Sequence, residues 1–185
     1  MLYFFTYNGE PQQKLQHRFS GSIKWGDNHD IPGILECTNI SKKSLYMQRL
    51  QNGEKCLVAT DKNGITAGYG WLTLRNTHIE DKTHCVFNFP EGAIYAYDFY
   101  IMPQYRLTGI WVGFINLILN SEYYIPDIGL YCSIDYGNHK SLRFHIRFGF
   151  KIYQQKTILN IFNYPISFTK NLEHTEMTIK KILGT

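Results

Sequence analysis

A chain of 185 residues with 44% hydrophobic and 18% charged residues is long enough to close a substantial core and has a globular composition, not a disordered one. Its 19 basic and 15 acidic residues leave a net charge of +4, with the basic side chains scattered. No basic stripe marks a nucleic-acid binder, and a weakly positive seat for an anion is compatible with the balance. Cys37, Cys56, Cys85 and Cys132 lie far apart without a C-x-x-C pair, which argues against structural zinc and a dense disulfide framework. The start MLYFFTYNGE lacks a basic leader region, and the longest apolar stretch, 109–119, falls short of the ~20 residues that span a bilayer. A cytoplasmic chain that does not enter the membrane is the expectation. Aromatic residues reach 16% but run the whole length, as a composition bias would place them.

No repeat, low-complexity tract or Pro/Gly-rich linker divides the chain, so one domain is expected. Residues 1–7 read as a strand, and 21–33, with Gly, Asn, Asp and Pro, as a loop. Asn39 or Ser41 can cap a helix to about Leu50, which Asn52-Gly53 stops. Residues 56–60 and 65–74 form a hairpin around Asn63-Gly64, a strong turn signal between apolar runs. The polar segment 77–88 reads as loop, and 93–101 as a strong strand that Pro103 ends. Ile110, Trp111, Phe114, Ile115, Ile118 and Leu119 follow helical spacing. Residues 128–134 read as a strand, and Asn138 caps a helix that Gly149 closes. Residues 150–153 and 157–162 return as strands, and the last fifteen form an appended turn or helix. This order defines a mixed α/β sheet and not a doubly wound one.

The chemistry concentrates in Tyr97-Asp98-Phe99-Tyr100-Ile101-Met102-Pro103-Gln104-Tyr105-Arg106-Leu107-Thr108-Gly109-Ile110-Trp111. A strand ends at a proline, a short loop follows, and a helix opens near Gly109. A helix start offers unpaired N–H groups and the positive end of the macrodipole, a ready seat for a diphosphate. Gly109 permits close approach of the backbone, and Arg106 and Thr108 add donors. Further on comes Asn138-His139-Lys140-Ser141-Leu142-Arg143-Phe144-His145-Ile146-Arg147-Phe148-Gly149-Phe150.

The first segment resembles the acyl-CoA signature of the GNAT superfamily of N-acetyltransferases: a strand, V-x-P-x-Y-R, then R/Q-x-x-G-x-G/A opening a helix. The second is similar to their later motif, N-x-x-[AS]-x-x-[LF]-[YH]-x-x-x-G-F. The resemblance covers about residues 54–153. Two positions depart from it: Trp111 stands where a small residue is usual, and Leu107 replaces a common glycine.

The resemblance implies an α/β, single-domain GNAT-like fold, with a mixed, mostly antiparallel central sheet of about seven strands, about four helices and a splayed strand pair. Residues 1–170 would form the acyltransferase domain, with 1–53 its variable acceptor-side part, 54–170 its core and 171–185 a C-terminal extension. Acetyl-CoA would enter with its pantetheine arm paired to the backbone at Tyr100, Ile101 and Met102. Its diphosphate would rest on the N–H groups of Arg106, Leu107, Thr108, Gly109, Ile110 and Trp111, with Asn138 and Ser141 as further contacts. A backbone N–H near Ile101 would polarise the acetyl carbonyl.

His145 takes the place of the family's frequent tyrosine and is the expected acid for the departing thiolate. Tyr97 is expected to assist a water-relayed deprotonation of the amine. Asp98 is the alternative base, although alternation turns it to the opposite face unless a bulge resets the register. Glu91 and His84 could reach the acceptor from the preceding loop. No histidine has metal-ligand spacing, and no metal is expected. The expected reaction is direct acetyl transfer to the primary amine of a small molecule. The alternatives are a protein or peptide N-acyltransferase and a non-catalytic acyl-CoA-binding module. Neither a nucleic acid nor a membrane is an expected partner, and a homodimer is left open.

Overall fold

A computed structural model of the chain describes residues 1–9, 18–38, 40–81, 83–161 and 164–184. The elements, in chain order, are β1 (Leu2–Tyr7), β2 (Ser22–Gly26), α1 (Ile31–Cys37), α2 (Lys43–Gln51), β3 (Lys55–Thr60), β4 (Thr66–Thr73), β5 (Thr77–Ile79) and β6 (Val86–Asn88). There follow β7 (Ile94–Ile101), α3 (Ile110–Leu119), β8 (Leu130–Asp135), α4 (His139–Phe148), β9 (Lys151–Ile161), β10 (Tyr164–Asn171) and α5 (Glu176–Leu183). The class is the expected one, mixed α/β on a large, mostly antiparallel sheet, with five α-helices and a small second sheet among the described residues.

The chain divides into two units. The first holds Met1–Gly9, Arg75–Tyr95 and Ile125–Thr185, and the second Glu10–Leu74 and Ala96–Tyr124. In the first, the strands run β10–β9–β1–β8 with antiparallel pairing throughout, and β5 pairs with β6. Phe4, Phe5, Phe87, Leu130 and Phe150 bury their side chains almost completely there, so large aromatic surfaces supply its hydrophobic stabilisation. In the second, the order is β7–β4–β3–β2. All eight residues of β4 are buried, as a strand covered on both faces requires. One face meets α1 and α2 through Ile31, Ile34, Tyr46, Cys56, Val58, Tyr69 and Trp71.

Four expectations change. The loop expected at 21–33 holds β2 and α1. Pro32 sits in the first turn of α1, where its missing N–H costs nothing, and Gly33 brings the helix close to β4, since a Cβ there would stand 2.3 Å from Thr66 Oγ1. The loop expected at 77–88 contains β5 and β6, whose Thr77↔Asn88, His78↔Phe87 and Ile79↔Val86 pairs bury Phe87. The two strands expected at 150–162 are one strand, β9, because Gln154 and Gln155 continue the ladder with Phe4 and Tyr3. β10 shows weak alternation, with seven of its eight residues exposed. Neither proposed cap of α2 is observed: Lys42 holds the N-cap position without a side-chain bond, and Asn39 lies outside the described residues, as does Phe162. Asn138 does cap α4, its Oδ1 accepting the Ser141 N–H, and Gly149 ends that helix at φ 104°.

Candidate cofactor turn and acceptor-side cluster

In the second unit β7 stops at Ile101, a single 3₁₀ turn covers Pro103–Tyr105, and α3 begins after Gly109. Gly109 has φ 89°, a left-handed conformation that glycine adopts without a Cβ clash. The Gly113 N–H bonds the Gly109 carbonyl at 3.0 Å. The first N–H groups of a helix have no intrahelical carbonyl one turn back and add to the positive end of its dipole. Leu107, at φ 70° and fully exposed, projects out of the turn.

The turn is tethered within its unit. Arg106 Nε donates to the Ile101 carbonyl at 3.2 Å, and Thr108 Oγ1 donates to the Tyr105 carbonyl at 2.7 Å. The Arg18 N–H donates to the Thr108 carbonyl at 2.9 Å. The Tyr105 hydroxyl donates to Asp61 Oδ2 at 2.7 Å, and this bond, ahead of those from the Ile65 and Asn63 N–H groups, holds the Asp61 carboxyl below the usual carboxylate range. A turn fixed by four bonds presents its amides without first having to order them. Trp111 is half-buried on the first turn of α3.

Two expected contacts are modified. The Met102 backbone is engaged locally, its N–H donating to the Ala67 carbonyl and its carbonyl accepting from the Tyr105 N–H, each at 2.9 Å, which leaves a carbonyl lone pair as its remaining bonding capacity. Arg106 Nε and Thr108 Oγ1 serve the turn itself, and the Arg106 and Thr108 N–H groups donate to the Pro103 and Tyr105 carbonyls at 3.3 and 3.4 Å.

On β7, Asp98 has φ 48°, which breaks the alternation. Tyr97 and Asp98 consequently reach the same residue, Arg49 of α2. The Tyr97 ring lies 4.8 Å from the guanidinium carbon, and Asp98 Oδ2 lies 2.7 Å from Nη1. Asp98 therefore does not turn to the opposite face. Phe99 does, packing 5.8 Å from Phe114 of α3 in space left by Gly70, where a Cβ would stand 2.5 Å from its ring.

A polar cluster that was not foreseen surrounds Asp98. Arg49, 4% exposed, lies within 5.2 Å of the Tyr46, Trp71 and Tyr97 ring centres. The Tyr46 and Tyr69 hydroxyls donate to the Asp98 carboxylate at 3.5 and 3.4 Å, and Lys42 Nζ approaches it to 3.9 Å. Burial, then the charge of Asp98, pushes the Tyr69 phenol well above its ordinary pKa, which keeps it a donor. The Tyr97 hydroxyl donates to Glu54 Oε2. Trp71 Nε1 is buried without a hydrogen-bond partner among the described residues. The signal for this cluster was present in the sequence: Lys42, Tyr46 and Arg49 at i, i+4 and i+7 share one helix face. Between α1 and α2 a cleft of about 630 Å³ is walled by Ile31, Leu35 and Met47 and edged by Asn28, Glu36 and Lys43.

In the first unit His145 is 6% exposed, with the Phe150 ring 5.0 Å away and the Phe5 ring 6.1 Å away. Its Nδ1–H donates to the Ser141 carbonyl at 2.8 Å, the direction a carbonyl acceptor requires. Burial pushes its pKa down to about 4. An imidazole neutral at pH 7 with its Nδ1 proton so engaged does not suit the acid role expected for it. The consequence falls on stability. The unfolded histidine gains a proton below about pH 6.5 while the folded one does not, so stability is intact above pH 6.5 and declines as pH falls toward 4, by about 3 kcal/mol at full effect. Melting temperatures across that range should drop less for His145→Phe than for the unaltered protein. Glu91 and His84 are exposed, and among the described residues no three His, Cys, Asp or Glu side chains gather as a metal site. The four cysteines are free thiols, and no described helix is long and apolar enough to cross a membrane.

The chain has the fold of the GNAT acetyltransferases. A tandem GNAT protein from the clavulanic acid biosynthesis pathway matches at TM-score 0.57 and 11% identity, over 92% of this chain and 53% of that one. The spermidine/spermine N-acetyltransferase of Vibrio cholerae, solved with manganese ions, matches at 0.53 and 14%, over 86% and 95%. AAC(6′)-Iy, in complex with the bisubstrate analogue CoA-S-monomethyl-acetylneamine, matches at 0.52 and 9%, over 71% and 90%. This chain spans 57% and 59% of two further matched chains, from Staphylococcus epidermidis and Novosphingobium aromaticivorans. No family model matches the sequence, and no curated protein matches it.

Proposed function

We propose that this protein is an acetyl-CoA-dependent N-acetyltransferase acting on the primary amine of a small molecule. The observation that carries the reading is the tethered turn at 106–109 leading into α3, with Gly109 left-handed at its apex. It fits a diphosphate: its backbone amides carry positive partial charge, and the apex lacks the Cβ that would hold an anion off. The donor substrate, when bound, supplies an activated thioester. Within 106–111 the Leu107, Gly109, Ile110 and Trp111 N–H groups would hold its diphosphate, those of Arg106 and Thr108 being bonded to the Pro103 and Tyr105 carbonyls. Tyr100, Ile101 and Met102 are carried over from the resemblance as the backbone beside a peptide-like arm, the Ile101 carbonyl also accepting from Arg106 Nε. Asn138 and Ser141 are carried over from the family motif as further contacts.

Tyr97 and Asp98 serve the acceptor. Asp98, tied to Arg49, orients the incoming ammonium group by its charge, and Tyr97 takes part in removing its proton. The cleft between α1 and α2, in the 1–53 segment assigned to acceptor recognition, receives the remainder of the acceptor. Two solved structures with this fold carry names that refer to small amines, spermidine/spermine and an acetylneamine conjugate, in keeping with such an acceptor. The test is thiol release from acetyl-CoA with a panel of polyamines, amino sugars and amino acids. Release that depends on an amine and yields its N-acetyl derivative is expected. Binding of acetyl-CoA without turnover on any amine or peptide would replace the enzyme by an acyl-CoA-binding module.

A further inference from the structure

Tyr97 is one of two β7 side chains brought by the break at Asp98 onto the face covered by α2. Its hydroxyl donates to Glu54, the residue between α2 and β3, where the Glu54 N–H bonds the Arg49 carbonyl at 3.0 Å. The guanidinium of Arg49 stands over the Tyr97 ring at 4.8 Å and bonds Asp98 at 2.7 Å, so it fixes both side chains. A phenol that donates to a carboxylate has a lone pair to accept a second proton, and the carboxylate can receive the one it gives up. Asp98 has its Oδ2 engaged by Arg49, and the carboxylate bonded by the Tyr97 hydroxyl is that of Glu54.

We infer that Glu54 is the proton-accepting partner of Tyr97, and that the two form a relay which neutralises the acceptor amine. The inference rests on the acetyltransferase reading. An ammonium proton passes to Tyr97 Oη as the phenolic proton passes to the Glu54 carboxylate. The freed nitrogen lone pair forms the C–N bond to the thioester carbonyl carbon, and the C–S bond breaks. The second proton lost by the nitrogen goes to the thiolate, giving amide and CoA thiol, and Glu54 returns its proton to water. Tyr97 touches the substrate. Glu54 acts through it and also positions it.

Among the described residues, the charged and titratable groups around the pair and its neighbour Asp98 include Lys42, Tyr46 and Arg49 from the α2 region, Cys56 from β3 and Tyr69 from β4. None of them is altered by Glu54→Gln or Tyr97→Phe, and the phenylalanine keeps a ring over Arg49. The experiment is the pH profile of kcat/KM for the unaltered protein, both variants and their combination, with thermal stabilisation by acetyl-CoA measured for each. The unaltered profile should rise through an acidic limb. Glu54→Gln should lose that limb and about 100-fold in turnover, a size usual for acid–base groups. Tyr97→Phe should fall by a similar factor, and the combined variant no further, because the two act as a unit. Full stabilisation by acetyl-CoA in each variant separates this step from donor binding.

Turnover of Glu54→Gln within threefold of the unaltered protein, with the acidic limb intact, overturns the relay. So does a multiplicative loss in the combined variant. If Glu54→Gln does not fold, Tyr97→Phe decides: unchanged turnover overturns the proposal, and a 100-fold loss with altered pH dependence upholds it. Absence of turnover by the unaltered protein on every amine would count against the acetyltransferase reading itself.

Discussion

Asp98→Ala should lower the stability of the protein by about 3 kcal/mol, or roughly 6–12 °C in melting temperature. The side chain of Arg49 is only 5% exposed, and removing its carboxylate partner leaves a cation among Tyr46, Trp71 and Tyr97 with much of its charge uncompensated. The 22% exposure of the Asp98 side chain keeps the figure at the lower end of the range for broken buried pairs. Backbone conformation adds to the loss, because alanine at φ 48° lacks the local hydrogen bonding that lets Asp and Asn enter the left-handed region. Asp98→Asn should therefore lose less than Asp98→Ala, and combining Asp98→Ala with Arg49→Met should recover part of the loss. Chemical denaturation of the unaltered protein, Asp98→Ala, Arg49→Met and their combination measures the coupling directly. A loss below about 0.5 kcal/mol for Asp98→Ala, the size of an ordinary surface substitution, would show that the cluster does not hold α2 to β7.

Gly109→Val should raise the dissociation constant for acetyl-CoA at least tenfold, equivalent to about 1.4 kcal/mol, while leaving the rest of the fold in place. A β-branched residue at φ 89° is a true outlier, and the turn would shift to relieve it. Its side chain would also stand where the diphosphate is proposed to meet the backbone. Gly64 provides the control. It lies at φ 80° in the turn between β3 and β4, and a Cβ there meets nothing within 4 Å. Gly64→Val should introduce similar strain without weakening the cofactor. Equal loss of affinity in both variants would trace the effect to general destabilisation.

The parts of the fold that were legible in the sequence are those with strong local chemistry. Asn63-Gly64 marked the hairpin of β3 and β4, Pro103 and Gly109 framed the turn, and Asn138 with Gly149 bracketed α4. Where local signal and tertiary context disagree, the reading failed. Pro32 and Gly33 look like loop residues, yet one suits a helix start and the other a close approach to Thr66. β10 lacks a buried face, and its alternation is weak.

The candidate site divides the same way. Its motif residues stood out because a glycine at a helix start carries a physical meaning by itself. Arg49 and Glu54 did not, because their roles depend on long-range partners, Asp98 and Tyr97. His145 was placed correctly in its helix and misjudged in its chemistry. Sequence gave its position opposite a family tyrosine, but not the Phe5 and Phe150 rings that enclose it and keep it neutral.

The diphosphate seat at the start of α3 is the claim on which the functional reading stands, and calorimetric titration with acetyl-CoA tests it most directly. Saturable binding at one site per chain is predicted, retained by Gly64→Val and at least tenfold weaker in Gly109→Val. An absence of binding at millimolar acetyl-CoA, or an affinity indifferent to Gly109→Val, would contradict it.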